Sequence, residues 1–404
     1  MANDKKPSLL IVGHTYATAF NRRKLNPLAD YFDIVCVTWQ LEGSVLYGRP
    51  LSDFEQDDHV PRYTLVRLPV LFKTKGTTRY LMLGLGRIIR QGRFDVVLAD
   101  SEPWGLVRWQ SWALTRLFQK NAIFGEFSWE NIERPGPKGL LLSLIYKFAM
   151  ISGDFSISGN TACRQILLRH GAAPESNLVA AQLGVEAEEF KPSEETEKRD
   201  LRRQLGLPEN GFLIGFCGRY TETKGVRELL DGVNSLRERL PDRGIQLAML
   251  GHGELGEELE LFSKKNPWLH LLSARPHKEV AAFMRSLDMF VLPSKPQHSG
   301  PNLWEEQFGH VLIEAMAAAV VTLGSSSGAI PEVIGQSKAI FPHSNSEALT
   351  SAMEYWLNHA EERENLARTQ REFTLATYTH EALAKIWGEF LLKRLAHHQR
   401  EFSL

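Results

Sequence analysis

Short apolar runs alternate with helical segments along almost the whole chain, and the series occurs twice. The first half offers apolar runs at 9–13, 32–38, 63–68, 96–100, 122–127, 155–158 and 178–183. The second offers them at 213–218, 246–251, 269–272, 290–294, 320–324 and 339–341. Several are apolar nearly throughout, as expected of parallel strands covered on both faces. Strand–helix alternation predicts an α/β class with parallel sheets. Two such series predict two Rossmann-like, doubly wound domains. The expected bounds are 1–190 and 206–379. A final helical pattern, 380–404, carries Trp387, Phe390, Leu391 and Leu395. The join holds seven acidic residues between Glu186 and Asp200, interrupted by Pro192, which reads as a solvated linker leading into a helix.

Composition removes several function classes. With 43% hydrophobic and 24% charged residues the chain reads as globular. A net charge of -1 supplies no global attraction to nucleic acid. No uninterrupted apolar run approaches the roughly 18–20 residues of a membrane span. The longest apolar stretch, 139–151, is broken by Ser143 and Lys147. Cys36, Cys163 and Cys217 are far apart and form no C-x-x-C pair, which predicts neither a zinc site nor a disulfide frame. Together with a short polar start without a signal peptide, this predicts a reduced, cytoplasmic protein.

Two constellations carry chemistry. Glu306 and Glu314 lie eight positions apart across a Phe-Gly turn, where an apolar helix begins. Val311, Leu312, Ala315, Met316 and Ala319 recur there at helical spacing. If both carboxylates were helical they would stand roughly 12 Å apart along the axis, the scale of a diphosphate-linked ligand with a hydroxyl-bearing group at each end. Charged acceptors bind hydroxyls well, and backbone N–H groups at a helix start suit the diphosphate. The plainer alternative is a solvated helix start, where acidic residues are favoured anyway. Upstream, Arg219 and Lys224 follow a strand, with Gly218 allowing close backbone approach. Two cations at the carboxyl end of a strand suit a pyrophosphate, or form an exposed pair beside a turn.

These residues resemble the retaining family-4 glycosyltransferases of the GT-B fold. The family's E-x7-E hallmark is matched from Glu306 to Glu314, and its Gly-Arg…Lys-Gly hallmark by Gly218, Arg219, Lys224 and Gly225. The resemblance implies two Rossmann-like domains, with a C-terminal helix crossing back to the first. It implies Arg219, Lys224 and Glu306 in catalysis, with Glu306 on donor-sugar hydroxyls. It implies a donor site of Gly13, Gly218, Phe308, Gly309, His310, Val311, Glu314, Ser327 and Gly328, with Glu314 on the ribose. The substrates implied are a nucleotide-sugar donor, UDP favoured, and a glycan or lipid-linked acceptor in cell-surface polysaccharide or glycolipid synthesis. No metal or cofactor is implied. A sugar-nucleotide epimerase, a phosphorylase and a non-catalytic sugar-nucleotide-binding protein share the pattern.

On the acceptor side, many relatives carry a histidine at the end of a strand in the first domain; residues 122–131 contain none. The candidates there are His14, Glu102, Glu126, Trp129 and Asn131, and clustering of polar residues at strand ends is the alternative for each. Residues 62–93 hold eight basic and no acidic side chains among apolar ones. They read as a basic surface helix with a core stripe, as a face for anionic lipid, or as a site for a polyprenyl-diphosphate acceptor. Gly324–Gly328 matches a G-x-S-x-G elbow, but no Asp follows it and the Glu and His residues that do lie in apparent surface helices.

Overall fold

The structure is a computed structural model. It describes every residue except 1–5, 41–44, 47–48, 51–59, 73–78, 274–276, 301–302 and 402–404. Lys73 and Lys75 of the basic stretch therefore lie outside the described residues. The chain forms two compact units, one of residues 1–184 with 380–404, the other of 185–379.

The first unit is built on seven parallel strands: β1 (Ser8–Gly13), β2 (Asp33–Trp39), β3 (Thr64–Leu68), β4 (Val96–Asp100), β5 (Ile123–Ser128), β6 (Phe155–Ser158) and β7 (Asn177–Val179). Their order is β7-β6-β5-β4-β1-β2-β3, so the sheet is wound outward in both directions from β1 and β4. Strands β1, β4 and β5 are buried along nearly their whole length, which explains their unbroken apolar sequences. Helices α1 (Leu106–Phe118) and α2 (Gly136–Ser152) follow β4 and β5. The C-terminal helix His380–Glu401 belongs to this unit. Its Trp387, Leu391 and Leu395 enter the core formed by Leu9, Ile11, Phe32, Leu98 and Phe127.

The second unit has six parallel strands: β8 (Leu213–Arg219), β9 (Gln246–His252), β10 (Leu269–Leu272), β11 (Met289–Leu292), β12 (Val321–Ser325) and β13 (Ile340–Phe341), in the order β10-β9-β8-β11-β12-β13. The strand order turns at β8 and β11, where an open α/β sheet offers a crevice outside its carboxyl ends. Helix α3 (Val226–Arg239) leaves the end of β8 through a short 3-10 turn, and α4 (His310–Ala317) precedes β12.

All thirteen apolar runs became strands of these sheets, with ends shifted by a few residues. Two short antiparallel ribbons were not expected, Val45–Leu46 with Arg49–Pro50 and Val70–Leu71 with Leu81–Met82. The described part of the 62–93 stretch is mixed: Tyr80, Met82, Leu85 and Ile89 are buried, while Leu71, Phe72 and Leu83 are exposed. Met82, Leu85 and Ile89 are core residues, and Arg62 pairs with Asp30 at 2.6 Å. Among its described residues, Leu85–Gln91 is the α-helical part.

Candidate functional site

In the second unit, the carboxyl end of β8 brings the two sequence motifs together. Lys224 follows β8 on the 3-10 turn Glu222–Lys224, and its Nζ donates to Glu306 Oε2 at 2.5 Å. Ser294 Oγ, just beyond β11, donates to the same oxygen at 2.7 Å. The Lys224 ammonium also lies 5.0 Å from the centroid of the Trp304 ring. Glu306 is buried, so a cation and a hydroxyl on one oxygen are the partners such a carboxylate requires.

Two glycines make this approach possible. Gly225 has φ +65, and a Cβ there would stand 2.0 Å from the Pro293 carbonyl oxygen. Gly328 has φ +54, and a Cβ there would stand 2.1 Å from the Glu306 carbonyl oxygen, which accepts the Ala329 N–H at 2.9 Å. Ser327 is buried beside it. The G-x-S-x-G segment is thus a packing loop against Glu306.

Glu306 is not helical. Helix α4 starts only at His310, with Gly309 at φ +78 as its N-cap. Glu314 is the fifth helical residue, in the second turn and not the first. It is buried, with Oε1 3.6 Å from His310 Nε2. The backbone of His310 and Val311 forms the positive end of this helix. Phe308 is buried edge-on against Tyr378, ring centroids 5.5 Å apart. Gly218 pairs in register with Gly251, where any Cβ would strike the Gly218 carbonyl. Arg219 ends β8, is exposed, and forms no ion pair among the described residues.

In the first unit a second polar cluster caps β4 and β5. The Ser128 hydroxyl donates to Glu102 Oε2, and the Trp129 N–H donates to Glu102 Oε1 at 2.9 Å. Burial pushes the Glu102 carboxyl up to about 7, and the neighbouring Glu130 carboxylate pushes the same way. Trp129 Nε1 donates to Gln182 Oε1 at 3.1 Å, and Gln182 Nε2 donates to Asp100 Oδ2 at 2.6 Å. Burial raises the Asp100 carboxyl to about 6 against the opposing charge of Lys24.

Asp100, Gln182, Ser128 and Ser294 were not among the sequence candidates. An Asp closing an apolar strand was the available signal for Asp100; Gln182 and Ser294 have none, because only the fold brings them here. Gly13 pairs with Asp100 in register, and a Cβ there would stand 2.6 Å from the Asp100 Cβ. His14 follows with its ring 5.7 Å from that of Trp39; burial lowers its imidazole to about 4, so it is neutral near pH 7. Glu126 is not in the cluster. Its carboxylate is buried against Arg108 at 3.1 Å, and Arg108 also donates to the Ala149 carbonyl at 2.7 Å. Asn131 lies partly buried in the loop after β5.

Residues 197–373 match the family described as glycosyl transferases group 1. Over 192 residues the chain is 26% identical to a D-inositol 3-phosphate glycosyltransferase of Corynebacterium kroppenstedtii, covering 45% of this chain and 40% of that one. Over 250 residues it is 26% identical to the sulfoquinovosyl transferase SQD2 of Arabidopsis thaliana, covering 61% and 46%. The chain thus spans less than half the length of these relatives. Among solved structures, a glycosyltransferase from Rickettsia africae superposes with a TM-score of 0.73 at 16% identity, covering 97% of this chain and 99% of that one. Anabaena Alr3699/HepE in complex with UDP and glucose superposes with a TM-score of 0.67 at 14% identity, covering 95% and 99%. The chain has the GT-B fold of these structures.

Proposed function

We propose, from the match of residues 197–373 to the group 1 glycosyl transferases, that the chain transfers a sugar from a nucleotide-sugar to an acceptor hydroxyl with retention of configuration. The observation that carries this reading is the Lys224–Glu306 pair, 2.5 Å apart at the carboxyl end of β8. It sets a cation for a diphosphate beside a carboxylate for sugar hydroxyls, on the sheet end where α/β proteins bind phosphates. Arg219, exposed at the same strand end, is the second cation. The charge that develops on the departing diphosphate is then met by two side chains. Transfer without a bound metal follows from that division of labour. In a same-face substitution the departing diphosphate takes the proton of the acceptor hydroxyl, and the protein contributes position and charge.

UDP is the favoured nucleotide, because Alr3699/HepE of the same fold is a UDP complex. The acceptor is a glycan or a lipid-linked sugar, held by the Glu102–Trp129 cluster, and the setting is polysaccharide or glycolipid synthesis at the inner membrane surface. The test is a thermal-shift series with UDP, GDP, ADP and dTDP. At 100 times its Kd the right nucleotide adds about 2.7 kcal/mol of stability. A shift with UDP that Glu314→Ala abolishes supports the reading. No shift with any of the four, or a shift indifferent to Glu314, overturns it.

A further inference from the structure

Helix α2 leaves five large apolar side chains in solvent: Leu140 at 69% exposure, Leu141, Leu144, Phe148 and Ile151 at 78%. Leu141, Leu144, Phe148 and Ile151 follow at spacings of three, four and three, so they form one stripe along the helix. The opposite face, Tyr146, Ala149 and Met150, is buried in the unit. The stripe continues sideways into an apolar groove of about 430 Å³ lined by Trp104, Leu106, Trp109, Trp112, Ile145 and Phe148, among others. Single exposed leucines are ordinary; a contiguous stripe of this size marks an interaction surface.

The charges around the stripe select its partner. Residues 103–125 and 134–153, which hold α1 and α2, contain six basic side chains and no acidic one, while the segment between them carries Glu126, Glu130 and Glu133. Arg108 and Arg116 are used internally, by Glu126 and Asp154. Arg134, Lys138 and Lys147 stay exposed along the stripe. The asymmetry extends over the whole unit. Residues 1–184 and 380–404 carry 26 basic and 19 acidic side chains, whereas residues 185–379 carry 21 and 29.

We infer that the α2 stripe docks this unit onto an anionic lipid surface, with Leu144, Phe148 and Ile151 in the acyl boundary and Lys138 and Lys147 at the headgroups. A two-fold dimer on the same face would bring Lys138 and Lys147 of two copies together, and α2 itself carries no carboxylate to pair them. At 17 residues with two lysines, α2 lies on the surface and does not cross it. No helix among the described residues is long and apolar enough to cross a membrane. Residues 62–93 are a different segment, which packs on α1 where Met82 bonds Gln110. The inference deepens the membrane part of the proposed function, and its test reads binding, so its failure leaves the transfer reaction standing.

The full chain is floated with phosphatidylglycerol vesicles and, separately, with phosphatidylcholine vesicles. The expected result is binding to phosphatidylglycerol that weakens with added salt. The double variant Leu144→Ser, Phe148→Ser should weaken it by about tenfold or more, as lost apolar insertion requires. Lys138→Glu with Lys147→Glu should remove the preference for phosphatidylglycerol. These side chains are exposed, so the variants keep the wild-type melt, and a retained UDP-induced shift reports an intact second unit. Equal binding by wild type and the serine variant, or no wild-type binding to either vesicle, overturns the inference. So does a wild-type dimer in solution that the serine variant converts to monomer, which would assign the face to a second copy of the chain.

Discussion

The Lys24 ammonium stands 3.1 Å from the centroid of the Trp387 ring, and both side chains are fully buried. This pair fastens the C-terminal helix to the first unit. The indole also donates to the Ala181 carbonyl at 3.1 Å and stacks on Phe127 with centroids 5.7 Å apart. Removing the ring leaves a cavity and strips a buried cation of its aromatic face. Trp387→Ala should therefore cost about 3–5 kcal/mol of unfolding free energy, measured by urea denaturation. Lys24→Met keeps the volume but removes the charge that opposes buried Asp100, so it should cost stability at pH 8, where Asp100 is ionised, and little at pH 5, where Asp100 is protonated. Equal losses at the two pH values would mean that Lys24 does not act through Asp100.

Arg219 and Lys224 should separate on stability, although the proposed function puts both on the diphosphate. Each change to Ala should lower turnover by roughly 10²–10³-fold, the size of one lost electrostatic donor. Arg219 is exposed and forms no ion pair among the described residues, so its variant should melt like wild type. Lys224→Ala takes the cation away from the buried Glu306 carboxylate, while the Ser294 hydroxyl stays on it, and should cost about 1–3 kcal/mol as well. Turnover with a UDP-sugar and a melting curve on the same samples check both statements.

Gly328 should be indispensable to the position of Glu306. A methyl group there meets the Glu306 carbonyl oxygen at 2.1 Å and forces φ +54 on an L-residue. Gly206 has a similar φ, +70, with nothing within 4 Å of its would-be Cβ. Gly206→Ala should thus show only backbone strain, on the order of 1 kcal/mol. Gly328→Ala should add displacement of Glu306 and weaken nucleotide-sugar binding at least tenfold, read by calorimetry. Equal binding by the two variants would remove the packing argument.

The fold was legible because its strands are buried on both faces, so burial wrote itself into thirteen apolar runs. The two motifs were legible because each is local, with Arg219 near Lys224 and Glu306 near Glu314. Contacts that depend on sheet order were not legible. Gln182 reaches Asp100 across 82 positions, and Ser294 reaches Glu306 only because β11 lies beside β8. Glu126 illustrates the opposite failure. It lies inside β5, two residues before the strand ends, and its neighbour in space is Arg108 on α1. Glu306 lies outside the helix, as the expected Phe-Gly turn allows, because Gly309 in a left-handed conformation caps the helix that starts at His310.

Glu102 should give the protein a pH dependence of definite sign. Its carboxyl is raised from the ordinary 4.5 to about 7, first by burial and then by Glu130. A raised carboxyl binds its proton more tightly in the folded chain than in the unfolded one. Stability from this group is therefore complete below pH ~4.5 and is lost as pH climbs through about 7. The full loss is on the order of 3 kcal/mol, since each tenfold gain in proton affinity is worth about 1.4 kcal/mol. Glu102→Gln removes the titration and keeps an oxygen for the Trp129 N–H. The variant should therefore lose less stability than wild type between pH 5 and pH 8 by an amount of that order. Urea denaturation of both proteins at the two pH values decides it: parallel losses would show that Glu102 titrates in its ordinary range. If the cluster holds the acceptor, the same variant should also flatten the rise or fall of KM for acceptor near pH 7, while KM for the nucleotide-sugar stays unchanged.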